Sequence, residues 1–289
     1  MAEGLDELNR LFTSPDPGDV IKFYDHFDTA EQLIEWMKNR PSAPMEIFEV
    51  EGEKDIVFVI PTADHNGELA NNCKEIFRGQ QIIFVESSGP FFNYARSCNF
   101  GLKYALKYKP KWVVLSNDDE YKIDDISILK NKLSGINNTD MVLVNSDKWV
   151  LLKERKFINL YRFLREQSIF SKLNKKFNAS FSSMSILRFN RPVYKLFFKK
   201  IKEFHFFGAF VIFNIDYLQK KEHVFDENFI NGYEDVFLCY KDSDKHNMKI
   251  IEFKIGGYGA KSLGGGEMRR LHSFSSRVYF NHLLKNQVF

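Results

Sequence analysis

The chain has 289 residues, 44% of them hydrophobic, and a formal net charge of +3. That apolar share is enough to build a packed core and excludes disorder as the default. Three cysteines, Cys73, Cys98 and Cys239, lack CxxC or Cys/His spacing, which argues against a disulfide scaffold or a structural zinc and fits a reducing compartment. No apolar run reaches about 18 residues and the opening MAEGLDELNRLF carries acids where a leader would be basic, so a cytoplasmic chain that neither spans a membrane nor uses that secretory route is expected.

Residues 1–50 read as a helical extension. Asp16 and Pro17 start a helix towards Phe27, and Thr29 caps TAEQLIEWMKNR, which stops before Pro41. Leu33, Ile34 and Met37 share one face of it. The extension shows no chemistry; it is either packed on the rest of the chain or an arm for a partner.

Residues 51–289 read as one α/β domain. DIVFVI, GELANNCKEIF, QQIIFVE, NYARSCNFGLKYALKY, KWVVLS and IDDISILKNKL alternate strand and helix. Continuous apolar strands in that order predict a mainly parallel sheet covered by helices on both faces, with ligands bound beyond the carboxyl ends of its strands. Pro61-Thr62-Ala63-Asp64, Glu86-Ser87-Ser88-Gly89 and Asn117-Asp118-Asp119-Glu120 follow the first three strands and are expected to converge on one edge. The sheet continues with MVLVN and FFGAFVIF. Beyond these lie FDENFINGYEDVFLCYK, a strand MKIIEFKI, a glycine-rich stretch and a helical tail.

Asn117-Asp118-Asp119 at a strand end admits two readings: carboxylates holding a divalent cation against a phosphate, or a polar turn in which an Asp caps the following helix. Glu234-Asp235 likewise opens a helix after Gly232, where an acid is favoured by the helix dipole whatever its function.

Five segments in order, IPTADHNGELANNC, IIFVESSG, CNFGLKYAL, VVLSNDDE and FDENFINGYEDVFLCYK, resemble the family 2 glycosyltransferases, with a rhamnosyltransferase-like motif order over roughly residues 54–286. The resemblance implies a GT-A (nucleotide-diphospho-sugar transferase) fold, a Rossmann-like mixed, mainly parallel sheet. Residues 51–147 would form the nucleotide-sugar-binding half, 148–205 a basic aromatic insertion, and 206–289 the acceptor and catalytic half.

What the resemblance implies for individual residues is as follows. Pro61, Thr62, Asp64, Glu86 and Ser88 belong to the nucleotide-sugar pocket, with Asp64 and Glu86 beside the nucleoside. Asn99 and Gly101 match RNxG, but Cys98 stands at its Arg position, leaving Arg96 as a displaced phosphate-binding candidate. Asn117 and Asp118 adjoin the donor, Asp119 is the first metal candidate for Mn2+ or Mg2+, and Asp118 supports it. The family's HxxGGS histidine is replaced by the run Ser262-Leu263-Gly264-Gly265-Gly266, with His272 as a candidate substitute. Asp235 is the implied general base, with Glu234 as its alternative, for an inverting displacement on a UDP-, GDP- or dTDP-linked sugar.

Neither GxxxxGK[ST] nor an HExxH or GxSxG motif occurs, so the glycine-rich stretch reads as a loop, one that closes over the donor on the family reading. Residues 148–202 hold 15 Lys and Arg against Glu154 and Glu166, a net of +13 that leaves −10 for the rest of the chain. Three readings stand for this stretch: a solvated insertion, an amphipathic contact with an anionic membrane near a lipid-linked or glycan acceptor, and, third, nucleic-acid binding, for which no motif is present. Alternatives for the whole chain are a sugar-nucleotide-forming nucleotidyltransferase and a non-catalytic membrane- or polyanion-binding module.

Overall fold

The computed structural model describes residues 2–152, 169–177, 179, 185–188, 201–206, 209–242, 247–258 and 267–286. Three helices open the chain: α1 (Ala2–Thr13), α2 (Pro17–Asp25) and α3 (Ala30–Asn39). They are followed by β1 (Glu46–Val50), β2 (Glu53–Thr62), α4 (Glu68–Ile76), β3 (Gln80–Glu86), α5 (Tyr94–Ala105), β4 (Trp112–Ser116), β5 (Glu120–Lys122), α6 (Ile126–Ser134), β6 (Met141–Val144) and β7 (Asp147–Leu152). Then come α7 (Ile169–Lys176), β8 (Ser185–Arg188), β9 (Ile201–Phe206), β10 (Phe210–Asn214), α8 (Ile215–Gln219), α9 (Glu234–Asp242), β11 (Met248–Ile251), β12 (Ile255–Gly257) and α10 (Glu267–Asn286).

The centre is a seven-stranded mixed sheet in the order β1-β3-β2-β4-β10-β6-β11. β1 and β10 run against their neighbours and the other five strands share one direction. Strand alternation divides the core. Val57, Val59, Ile83, Val85, Val113 and Leu115 face a layer containing α5, α9 and α10, while Ile56, Phe58, Ile60, Ile82, Phe84 and Val114 face α4 and α6. Both faces are dry, which is why these strands read as unbroken apolar runs. Gly101 brings α5 close to the sheet: a Cβ there would lie 2.7 Å from Val85 Cγ2 and nearer still to Val59.

The N-terminal helices form as their caps predict. Asp16 accepts the Gly18 amide at 2.8 Å, and Thr29 with Gln32 makes a capping box. Phe12, Phe23 and Trp36 pack as an aromatic cluster, with centroids 4.6–5.1 Å apart. Tyr24 docks this layer on α10 by donating to the Leu271 carbonyl at 2.6 Å, and its hydroxyl also meets Ser275 Oγ at 2.8 Å. The helical extension therefore packs on the domain. Its boundary at residue 50 is corrected, because β1 joins the sheet as an antiparallel edge strand, from Glu46 opposite Glu86 to Val50 opposite Ile82.

Part of the basic segment is built into the fold. β7 is the middle strand of a small antiparallel sheet, β8-β7-β9. On α7, Leu173 and Asn174 are buried, as is Phe177 just beyond it. Lys176 donates to the carbonyls of Tyr24 and Asp25 at 3.0 and 3.1 Å, closing the carboxyl end of α2. The amphipathic run over 153–168 and the glycines at 259–266 lie outside the described residues. Among the described residues no helix is long and apolar enough to cross a membrane.

Candidate functional site

β2 is flanked by β3, reached through α4, and by β4, reached through α5, so the strand order reverses at β2 and leaves a crevice at the carboxyl ends of these strands. A cavity of about 350 Å³ opens there. Pro61, Thr62 and Ala63 line it at the end of β2, Ser87, Ser88 and Gly89 just past β3, and Asn117 and Asp118 just past β4. Pro90, Phe92, Tyr94, Asn231 and His272 complete the wall.

The strand ends are tied together. Thr62 Oγ1 donates to Asp118 Oδ2 at 2.9 Å across the reversal point, and both residues are buried. Tyr94 OH donates to Asn117 Oδ1 at 2.7 Å, fixing the start of α5 against the end of β4. Asp119 and Glu120 are also buried, in the turn just beyond. The Asp119 carbonyl accepts the Tyr258 amide at 2.8 Å, which joins this turn to β12. Burial first, and the charge of Asp119 second, push the Glu120 carboxyl up to about 8.

Asp64 and Glu86 stand at the expected strand ends but outside the cavity lining. Glu86 Oε2 accepts both the backbone amide of His65 at 2.8 Å and its Nδ1 at 2.6 Å, and these donors hold Glu86 below the ordinary carboxylate range. His65 stacks on Phe48 of β1, and its Nε2 accepts from Asn66 at 2.9 Å. Asp64, His65 and Glu86 form the one trio, among the described residues, whose potential ligand atoms lie within 4.8 Å of one another. His65 Nδ1 is spent on Glu86 and its Nε2 lone pair accepts from Asn66, so a cation at this trio would have to displace the exposed Asn66 amide.

Two candidates face elsewhere. Asn99 Oδ1 accepts the amides of Val224 and Phe225 at 3.1 and 3.0 Å, and its Nδ2 donates to the Phe225 carbonyl at 2.9 Å. Arg96 pairs with Glu227 at 3.5 Å. Both therefore anchor the segment after α8, and neither lines this cavity.

His272 is on the wall. Its Nε2 donates to the Phe12 carbonyl at 2.8 Å, since a carbonyl can only accept, so Nδ1 keeps the lone pair. Burial holds this imidazole below its usual pKa and so neutral. Asp118 is the acid of the Asn117-Asp118-Asp119 motif that reaches the cavity lining.

Glu234 and Asp235 form the first turn of α9. Glu234 is buried and accepts the Gly232 amide at 2.6 Å, whereas Asp235 keeps partial exposure and accepts the Val236 amide at 2.7 Å. Burial raises both carboxyls above their ordinary range, and the charge of Glu234 raises Asp235 further. Neither acid lines the cavity itself. Asn231, three residues ahead of Glu234, does, and its Oδ1 accepts the Tyr94 amide at 3.1 Å. Tyr94 and Asn231 were missed in the sequence; an Asn-Gly pair before a helix marks a tight turn but not what the turn faces.

Scans of the sequence against protein-family models and against curated proteins return no match.

Proposed function

We propose that the chain is an inverting, metal-dependent glycosyltransferase of the GT-A type, moving a sugar from a nucleotide donor to a hydroxyl of a glycan or lipid-linked acceptor. The observation that carries the reading is the convergence of three successive strand ends on one cavity at the reversal point of the sheet, with Asp118 and Tyr94 on its wall.

In this reading the nucleotide lies against Pro61, Thr62, Ser87 and Ser88, which line the cavity. An acceptor hydroxyl attacks the anomeric carbon from the face opposite the diphosphate. The new C–O bond forms as the bond from carbon to phosphate oxygen breaks, and the nucleoside diphosphate leaves with the electron pair. The hydroxyl proton passes to Asp235, whose partial exposure suits it to this role better than the buried Glu234. A raised carboxylate pKa makes Asp235 a stronger base near neutral pH, provided it is ionised.

On this reading a carboxylate of Asp118 on the wall, with Asp119 next to it in the chain, would hold the cation. His272, also on the wall, keeps Nδ1 unprotonated, but the three do not bring their ligand atoms within 4.8 Å of one another in this structure, so the cation would have to draw them together. Bound Mn2+ or Mg2+ would supply charge neutralisation for the departing diphosphate. Calorimetric titration with nucleoside diphosphates, with and without Mn2+, tests this. Asp118→Ala and Asp119→Ala are expected to abolish the metal-dependent part of the affinity; unchanged affinity in both removes the metal from the account.

The acceptor side is proposed to include an anionic membrane surface. Lys172 and Lys175 are exposed on α7, whereas Lys176 is committed to α2. Sedimentation with anionic liposomes should fall with salt and with Lys172→Glu/Lys175→Glu. Absence of binding at low salt reduces the segment to a solvated insertion.

A further inference from the structure

We propose that Arg40, the residue that ends the N-terminal helical extension, is a positioning residue for the acid pair at the start of α9. This inference rests on the glycosyltransferase reading and goes beyond the extension's role in packing.

The Arg40 guanidinium is half-buried and aimed at backbone. Its Nη2 donates to the carbonyls of Glu227 and Phe229 at 2.9 and 3.0 Å, and its Nη1 to the carbonyl of Asn228 at 3.2 Å and to that of Met37. Three consecutive carbonyls of one loop are thus collected by one rigid fork, a geometry that a lysine ammonium cannot reproduce. Asn93 reinforces the same loop: its Nδ2 donates to the Glu227 and Phe229 carbonyls at 2.7 and 3.1 Å while its Oδ1 caps α5. Ser276 of α10 fixes the next residue through both the amide and the carbonyl of Ile230, each at 2.7 Å.

The loop needs such fixing. Immediately after it, Asn231, Gly232 and Tyr233 have φ of 49°, 134° and 74°, three successive residues on the left-handed side. Asparagine tolerates that conformation and glycine has no side chain to oppose it, but a bulky residue such as Tyr233 adopts it only when the surroundings over-determine it. These three residues set the direction in which Glu234 and Asp235 enter α9, and they put Asn231 on the cavity wall. Arg40's hydrogen bonds go to the carbonyls of Met37 and of residues 227–229 and none to the cavity residues named above, so it acts through the loop it holds.

The test compares wild type, Arg40→Lys and Arg40→Met by hydrogen exchange of backbone amides and by sugar-nucleotide turnover. In Arg40→Met, exchange at residues 229–237 should rise by about 10-fold or more, with β2, β3 and β4 unchanged and a cooperative melt retained. Arg40→Lys should lie near Arg40→Met, because charge without the fork is insufficient. Turnover should fall in kcat with little change in KM for the donor. Unchanged exchange at 229–237, or an equal rise throughout the sheet, overturns the proposal. So does a turnover loss confined to KM. If no sugar nucleotide is turned over by wild type, the glycosyltransferase reading fails, while the exchange measurement still decides whether Arg40 holds the loop.

Discussion

The Tyr94 hydroxyl and the Asn117 side-chain carbonyl meet at 2.7 Å, joining the first residue of α5 to the residue after β4 on the wall of one cavity. The bond holds two strand-end loops in register, so it links stability to the shape of the site. Tyr94→Phe should cost about 1–2 kcal/mol, because a half-buried acceptor loses its donor. Urea denaturation measures it as a lower midpoint at unchanged slope; an unchanged midpoint would show that the pairing is not maintained in solution.

Gly101 sits where α5 presses on β2 and β3, and a methyl group there would meet Val59 and Val85. Gly101→Ala should destabilise the chain by about 1–3 kcal/mol through overpacking. In a double-mutant cycle, Gly101→Ala/Val59→Ala should lose less than the sum of the two single variants, because the smaller side chain at 59 relieves the clash. Additive losses would place the strain elsewhere.

Turnover should depend on pH through the acid pair. Folding raises both carboxyls, so the protonated, inactive form of Asp235 persists to higher pH than an ordinary aspartate, and the rate should climb as pH rises through that raised value. Removing the neighbouring charge in Glu234→Gln lowers the Asp235 pKa, which should move the acid limb of the pH-rate profile to lower pH. A limb that stays fixed or moves up would show that Asp235 does not feel Glu234.

The strand ends were legible because they follow from a local rule: unbroken apolar strands must be covered on both faces, and polar residues just past them gather at one edge. Thr62, Asn117 and Asp118 lie at that edge, on the wall of one cavity. β1 was not legible, since EIFEV follows helices and pairs with β3 instead of with the strand next to it in sequence. Arg96 and Asn99 sit in the first and second turns of α5, yet their partners are Glu227 and the Val224–Phe225 backbone, more than 120 residues away. Lys176 looked like part of a basic surface stripe, but α2's terminal carbonyls claim it. Such pairings depend on which elements the fold brings together, and no spacing rule within one segment reveals them.

The most direct test of the central claim is nucleoside diphosphate release from a panel of UDP-, GDP- and dTDP-sugars, by wild type and by Asp235→Asn. Wild type should release the nucleotide from one donor class in the presence of Mn2+ or Mg2+. The near-isosteric Asp235→Asn should bind that donor as tightly and turn it over about 10²–10⁴-fold more slowly, the range for loss of a general base. Release from no donor by wild type, or undiminished release by Asp235→Asn together with Glu234→Gln, would contradict the account.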